Sequence, residues 1–174
     1  PKIIYTNVNS SLILIDGEPK LEMDKNLKMK KVVNTPFLII QDEESARFFL
    51  YAGAYWYSSK SITEGWTSTN NLPKSIIEID QNIKSKQSEE DKKALTEIKK
   101  STSAPQIIIS TELAELIQSE GEANMKPIEA TELLYVSNSE DDIFMYIKSQ
   151  DYFTLLSGRW YRSKSLKGPW EYVE

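Results

Sequence analysis

The stretches YWYSSKSITEGWTST at residues 55–69 and RWYRSKSLKGPWEYV at residues 159–173 repeat one aromatic pattern within a single chain. Each stretch places a Trp-Tyr pair ahead of a Ser-x-Ser segment and a second tryptophan. Alternating apolar and polar residues followed by turn-forming residues predict a β-hairpin rather than a helix. Because Trp56 and Trp160 lie 104 positions apart and their neighbours remain in register, the two stretches indicate an internal duplication.

The duplication extends over nearly the whole chain. Residues 1–70 align with residues 105–174 without a gap, and 18 of the 70 pairs are identical. We therefore predict a mainly β protein, α+β overall, built from two homologous small antiparallel β modules joined by a helical connector. The predicted boundaries are residues 1–72 for the first module, 73–104 for the connector and 105–174 for the second module.

The second hairpin is specific enough to predict its register. Ser157-Gly158 is a two-residue tip of the kind that tight hairpins use. With that tip, Leu155 lies opposite Trp160 on the neighbouring strand. The same register places Thr154 opposite Tyr161.

The segment between the repeats has a helical pattern. Ile76, Ile79 and Ile83 recur at the spacing of one helix face. Ser88-Glu89-Glu90-Asp91 has the form of a capping box that begins a second helix, and residues 101–105 are predicted to end it. We expect this connector to carry few functional residues.

The composition excludes several classes of chemistry. The 174 residues contain no cysteine and no histidine, which removes thiol nucleophiles, the usual zinc sites and imidazole acid–base catalysis. The net charge of −5 comes with no clustered basic face, so nucleic-acid binding is not expected. No apolar run approaches the roughly 20 residues of a membrane-spanning helix. We predict no catalytic residue, no metal and no cofactor.

Two acidic turns are the remaining candidates for catalysis or calcium binding. Asp16-Gly17-Glu18 and Glu120-Gly121-Glu122 occupy equivalent positions in the repeats. A glycosidase needs its two carboxylates across a cleft, with the pKa of one of them raised by burial. Tight turns are usually hydrated, so we expect both segments to be solvated turns.

Several segments of the repeats resemble a known family. They are LIDGEP at 14–19, VVNTP at 32–36, IIISTELAELI at 107–117, LLYVSNS at 133–139 and LLSGRWYRSKSLKGPW at 155–170. Together they are similar to bacterial envelope-associated proteins whose tandem repeats end in Gly-x-Trp-aromatic and Gly-Pro-Trp hairpins. Members are often labelled carbohydrate-binding, of the chitin-module type. The resemblance implies a non-enzymatic protein that is periplasmic, displayed on the cell surface or secreted.

The hairpin aromatics admit two interpretations. If Trp160 faces the core, strand alternation turns Tyr161 to solvent; if Trp160 faces solvent, Arg162 and Lys164 share its face. Buried tryptophans would hold each small module together, whereas exposed rings could stack on a sugar. The candidate ligand-binding residues are Trp56, Tyr57, Trp160, Tyr161, Arg159, Arg162, Lys164 and Trp170.

These observations lead to one expected function with one alternative. The expected function is a non-catalytic binding module of the cell envelope, with a glycan as the leading partner. The alternative is a structural or protein–protein interaction module in envelope assembly, in which the aromatics lie in the core.

Overall fold

The computed structural model, which describes residues 1–101 and 103–174, shows a mainly β protein with two six-stranded antiparallel sheets separated by a helical segment. This confirms the predicted fold class. Thr102, which the sequence prediction places where the second helix ends, lies outside the described residues.

The two repeats contain the same succession of strands. The first repeat comprises β1 Lys2–Thr6, β2 Ser10–Leu14, β3 Leu21–Asp24, β4 Met29–Val32, β5 Leu38–Gln41, β6 Phe48–Ala52, β7 Tyr55–Ser59 and β8 Thr67–Ser68. The helices are α1 Lys74–Ser85 and α2 Glu89–Ser101. The second repeat comprises β9 Gln106–Ser110, β10 Ala114–Gln118, β11 Met125–Pro127, β12 Leu133–Val136, β13 Asp142–Tyr146, β14 Asp151–Leu156, β15 Arg159–Ser163 and β16 Glu171–Val173. Shifted by 104 positions, matching strands begin and end within about one residue of each other.

Each six-stranded sheet is a meander in which every strand pairs with the next along the chain. One sheet has the order β3 to β8 and the other the order β11 to β16. The register of the β14–β15 hairpin is the predicted one, with Leu155 opposite Trp160 and Thr154 opposite Tyr161. Its tip, Ser157-Gly158, has positive φ at both residues (50° and 75°), which suits the right-handed twist of the flanking strands.

The compact units of the chain do not follow the repeat boundaries. Unit 1 consists of Pro1–Leu12 together with Glu112–Glu174, and unit 2 consists of Ile13–Thr111. The opening strand of each repeat therefore belongs to the unit that carries the sheet of the other repeat.

The length of one connection explains this exchange. In unit 1, β1 runs parallel to β10, with Lys2 paired to Ala114 and Thr6 to Gln118. Parallel neighbours need a crossover of about a dozen residues or more, and only residues 7–9 separate β1 from β2. A parallel partner for β1 cannot come from the next strand of its own repeat. The strand equivalent to β1 in the second repeat, β9, pairs with β2.

The core of unit 1 depends on the exchanged strand. Ile3 from β1 packs with Ile117, Val136, Ile143 and Tyr161, all of which are buried. Four of these five residues come from the second repeat, so the first repeat completes a core that is otherwise built by the second.

Unit 2 has two layers of apolar packing around its sheet. One layer contains Ile13, Ile15, Val32, Ile39, Leu50, Ala52 and Tyr57, with Ile107 and Ile109 of β9 packed against it. The other layer contains Met29, Ile40, Phe49 and Trp56 and is covered by Ile76 and Ile79 of α1.

The helical segment does more than connect the sheets. α1 buries its isoleucine face against the sheet of unit 2, so this part of the predicted connector belongs to the core. The predicted capping box is present at α2, where Asp91 N–H donates to Ser88 Oγ at 3.1 Å and Ser88 N–H donates to Asp91 Oδ2 at 3.4 Å.

The two acidic turns are held by an asparagine in each repeat. The side-chain amide of Asn34 donates to the carbonyl oxygens of Asp16 and Glu18 at 2.9 and 2.8 Å. Asn138 makes the same two bonds, both at 2.8 Å, to Glu120 and Glu122. The identical bonds explain why both repeats carry this asparagine, and they give the turns a structural role.

The exchange of opening strands predicts a reciprocal effect of two matched substitutions. Ile3→Ala should destabilise unit 1, because it leaves a cavity beside Ile117, by about 2–5 kcal/mol. Ile107→Ala should instead loosen unit 2, whose core it contacts. Amide hydrogen exchange, read separately in β13–β14 and β5–β6, measures the two effects.

The exposed Ile77→Ala variant is the control, because Ile77 lies outside both cores. An Ile3→Ala variant that loosened β5–β6 and left β13–β14 protected would contradict the exchange.

Candidate functional site

The two sheets have equivalent outer faces, but one face is covered by other residues of the chain and the other is exposed to solvent. The outer face is defined here as the face that carries Trp56 in unit 2 and Trp160 in unit 1. Trp56 is 7% exposed, whereas Trp160 is 42% exposed. The same strand position is therefore buried in one repeat and open in the other.

Trp56 is buried because α1 packs over it. Its indole N–H donates to the Asp80 carboxylate of α1 at 3.0 Å, and the ring of Tyr51 lies 5.0 Å away, centroid to centroid. A second polar contact joins the same elements, since the Ser75 hydroxyl donates to Asp42 Oδ1 at 2.8 Å. Apolar burial and two directed hydrogen bonds together hold this helix on the sheet.

The electrostatics of Asp80 favour the charged form. Burial works to raise the pKa of this carboxyl, but the hydrogen bonds from Trp56 and Lys84 outweigh it and hold the pKa below its ordinary value. Lys84 Nζ lies 2.9 Å from Asp80 Oδ2, one helical turn further along α1. Asp80 is therefore ionised at neutral pH where it meets the indole.

In unit 1 the corresponding surface is an open apolar depression. We call it the Trp160 groove, and its volume is about 320 Å³. It is lined by Leu133, Phe144, Phe153, Trp160, Val173 and Glu174. The rings of Phe144 and Trp160 lie 5.9 Å apart, centroid to centroid, in a tilted arrangement. Five of the six lining residues are apolar, and each of these five comes from a different strand, β12 to β16.

The cationic residues that accompany Trp160 are mostly engaged in ion pairs. Arg162 Nη2 lies 2.8 Å from Glu171 Oε1, and this contact raises the pKa of the guanidinium above its ordinary value. Lys164 pairs with the carboxylate of Asp151 and lowers the pKa of that group. Arg159 is exposed at the start of β15.

Tyr57 and Tyr161 point to the opposite side, into the cores. Tyr57 is 2% exposed and Tyr161 is 5% exposed. The Tyr57 hydroxyl donates to the carbonyl oxygen of Pro105 at 2.7 Å, and burial raises the pKa of this phenol to about 12. In the second hairpin, therefore, Tyr161 faces the core and Trp160 faces solvent, on opposite sides of the strand as alternation requires.

The second tryptophan of each hairpin has the same surroundings in both repeats. The indole N–H of Trp66 donates to the carbonyl oxygen of Ile62 at 2.8 Å, and that of Trp170 donates to Leu166 at 3.0 Å. Each ring is partly buried and packs against the adjacent core. Both rings close the turn after the hairpin.

Unit 2 contains a larger and more polar cavity, which we call the Tyr55 cleft. Its volume is about 850 Å³, and Tyr51, Tyr55 and Trp56 contribute aromatic surface to it. Most of the remaining lining is polar or charged: Ser68, Thr69, Asn70, Asp80, Lys84, Gln87, Lys92, Thr96, Lys99 and Ser103. Ala54, Leu72, Leu95 and Ala104 complete it. Lys99 Nζ lies 5.7 Å from the centroid of the Tyr55 ring, a cation–π contact.

The acidic side chains bear on two kinds of chemistry, metal binding and acid catalysis. Among the described residues, no three acidic side chains gather where they could hold a metal ion. The carboxylates with a clearly shifted pKa are Asp24, Asp42, Asp80 and Asp151, and in all four the pKa is lowered. A general acid working near neutral pH needs a raised pKa.

Neither helix in the described ranges has the length and apolar character needed to cross a membrane. No family model, no curated protein and no solved structure matches the chain. Function must therefore be argued from the geometry of these surfaces.

The sequence identified one member of the Trp160 groove, Trp160 itself. It missed the others, which include Leu133, Phe144, Phe153 and Val173. The repeat alignment contained a usable signal, because Phe144 and Phe153 occupy the positions of Ile40 and Phe49. Without the position of α1, however, those apolar pairs predict only a core.

The contact between Trp56 and Asp80 generates a pH-dependent prediction. Asp80→Ala should lower the free energy of unfolding of unit 2 by about 1–3 kcal/mol at pH 7, because the indole loses a charged acceptor. The pKa of Asp80 is lowered by folding, so its contribution is present above the unfolded pKa of about 4 and is lost as the pH falls through the folded value.

Chemical denaturation monitored between pH 2 and pH 7 measures both effects. Glu78→Ala, an exposed acidic residue on the same helix, is the matched control and should change stability little. A difference between wild type and Asp80→Ala that stayed constant down to pH 2 would contradict the assignment.

Proposed function

We propose that this chain is a non-catalytic binding protein whose Trp160 groove binds another polypeptide. The observation that carries the proposal is the exposure of Trp160 in the lining of an apolar depression, while its counterpart Trp56 is covered. Contiguous apolar surface of this kind marks interaction sites on soluble domains. Tryptophan is enriched among the residues that dominate binding energy in such sites.

The lining of the groove favours a polypeptide over a sugar. A sugar ring needs hydrogen-bonding groups beside the ring on which it stacks, and Glu174 is the one charged residue among the lining side chains. Arg162 and Lys164, which could supply donors nearby, are paired with Glu171 and Asp151. An apolar side chain from a partner would fill the groove without leaving hydroxyl groups unpaired.

The proposal includes a non-enzymatic role at the cell envelope. The non-enzymatic part rests on the composition, because the chain has no histidine and no cysteine for acid–base or nucleophilic catalysis. The envelope location is supported by the resemblance of the hairpins to envelope-associated proteins.

Carbohydrate binding is a second candidate, and the Tyr55 cleft is the observation that favours it. Partly exposed rings of Tyr51 and Tyr55 lie among hydroxyl and amide groups there, the combination that sugar recognition requires. In this case the ligand would bind to unit 2 and not to the tip of the second hairpin.

A random-peptide display selection on the full chain tests the first candidate. We expect peptides to be enriched on the wild-type protein and to lose binding by more than tenfold on Phe153→Asp, because the charge would be desolvated in the groove. The Leu113→Ala variant removes an equally apolar but separate exposed residue of unit 1 and should retain the peptides.

A glycan array with the wild type and Tyr55→Ala is the second arm of the experiment. Array binding that Tyr55→Ala abolishes, together with a display selection that enriches no groove-dependent peptide, would replace the first candidate with the second.

A further inference from the structure

We propose that the occupant of the Trp160 groove is an amphipathic α-helix of another polypeptide, with aliphatic residues at i, i+3 and i+7 and a carboxylate at i+4. This inference rests on the proposed function and adds the class of partner. It follows from the internal duplication, because in unit 2 the helix α1 lies on the equivalent surface of the sheet.

Four of the six lining residues of the groove match residues that lie under α1 in unit 2. At a shift of 104 positions, Leu133 takes the place of Met29, Phe144 that of Ile40, Phe153 that of Phe49 and Trp160 that of Trp56. In unit 2 these four positions form the layer that α1 covers. In unit 1 they line the depression. The same outer face of the sheet is therefore covered by a helix in unit 2 and not covered by one in unit 1.

The helix on unit 2 defines the apolar pattern of the occupant. Ile76, Ile79 and Ile83 lie at i, i+3 and i+7 on one face of α1, and all three pack against the layer around Trp56. Residues at this spacing form a single stripe along a helix. A partner with the same spacing would place its stripe across Phe144, Phe153 and Trp160.

The polar contact of the occupant is defined by the tryptophan. In unit 2 the indole N–H of Trp56 donates to Asp80, four residues after Ile76. Among the described residues the indole N–H of Trp160 has no such acceptor, although its ring occupies the same strand position. Arg162 replaces Ser58 on this face, but its guanidinium is already paired with Glu171. A carboxylate at i+4 of the helix would supply the acceptor for the indole N–H, as Asp80 does in unit 2.

The face has also become more apolar where the repeats differ. Tyr135 stands in place of Lys31, and Val173 stands in place of Thr69. Both changes add apolar surface around a depression that no described helix covers. A sheet face that contacts only solvent would be expected to carry polar side chains at these positions instead.

A second copy of this chain is a less suitable source of the helix. Its α1 is already bound to its own sheet through Ile76, Ile79 and the bond to Trp56. The short connection between β8 and α1 gives that internal contact a high effective concentration, with which another copy would have to compete. A helix from a different polypeptide meets no such competition.

The first test uses a synthetic peptide with the sequence of residues 71–86 as the probe. Uniformly ¹⁵N-labelled full chain is titrated with it, and the four indole N–H signals are followed by NMR, with Trp160→Phe identifying the Trp160 signal. We expect that signal to shift to saturation while the Trp56 signal stays in place.

A double-mutant cycle tests the predicted hydrogen bond. Trp160→Phe in the protein and Asp80→Ala in the peptide should each weaken binding by about tenfold, the size expected for a hydrogen bond to a charged group. Because both substitutions remove the same hydrogen bond, the double variant should bind almost as tightly as either single variant. Independent, multiplying effects would overturn the assigned carboxylate.

A fusion protein tests the same contact if the free peptide is too weakly helical to bind. A copy of residues 71–87 is joined directly after Glu174, which reproduces the spacing between Trp56 and α1. We expect the Trp160 signal to gain protection from solvent exchange. The matched control carries the same copy with Ile79→Asp and should leave Trp160 exposed.

An appended helix that leaves Trp160 exposed would overturn the inference, as would concentration-dependent self-association that alone covers the groove. The display selection separates the two proposals. If peptides that depend on the groove are enriched but lack the helical spacing, the proposal of polypeptide binding stands and the proposal of a helical partner is wrong. If no peptide that depends on the groove is enriched, both proposals are wrong.

Discussion

The fold depends on a parallel strand pair that a single repeat cannot make for itself. β1 pairs in parallel with β10, and the three residues that separate β1 from β2 are far too few for a parallel crossover. A parallel pair of β1 with β2 is thereby excluded, and the opening strand pairs instead with a strand of the other copy of the sequence. Duplication is consequently part of the folding solution, because Ile3 of the first repeat fills the core around Ile117 and Tyr161. The two sequence repeats and the two compact units are for this reason different divisions of the chain.

The two repeats share their turns, hairpin register and several hydrogen bonds, but the outer faces of their sheets differ. The asparagine-held turns, the hairpin register and the hydrogen bonds of Trp66 and Trp170 recur in both copies. The outer faces differ because α1 lies on one of them. Trp56 and Trp160 occupy the same strand position, yet Trp56 donates to Asp80 under α1 and is buried, whereas Trp160 is 42% exposed. The same strand position is therefore packed under a helix in unit 2 and exposed to solvent in unit 1.

Much of the framework followed from local pattern. The hairpin tip at Ser157-Gly158 determined which residues face each other across β14 and β15, since tip length fixes register. The candidate site was less predictable. Alternation required Trp160 and Tyr161 to face opposite ways but could not say which faced inward, because both choices offer an apolar surface. The burial of Tyr161 beside Ile3, a residue more than 150 positions away, settled the choice.

The sequence by itself determined the duplication, the register of the second hairpin and the helical face of Ile76, Ile79 and Ile83, because each of these depends on spacing along the chain. Only the tertiary structure decided that the opening strands are exchanged, that α1 covers Trp56 and that Trp160 is left open. These outcomes depend on contacts between residues distant in sequence. Periodicity reports which residues share a face of a strand or helix, and it does not report what that face meets.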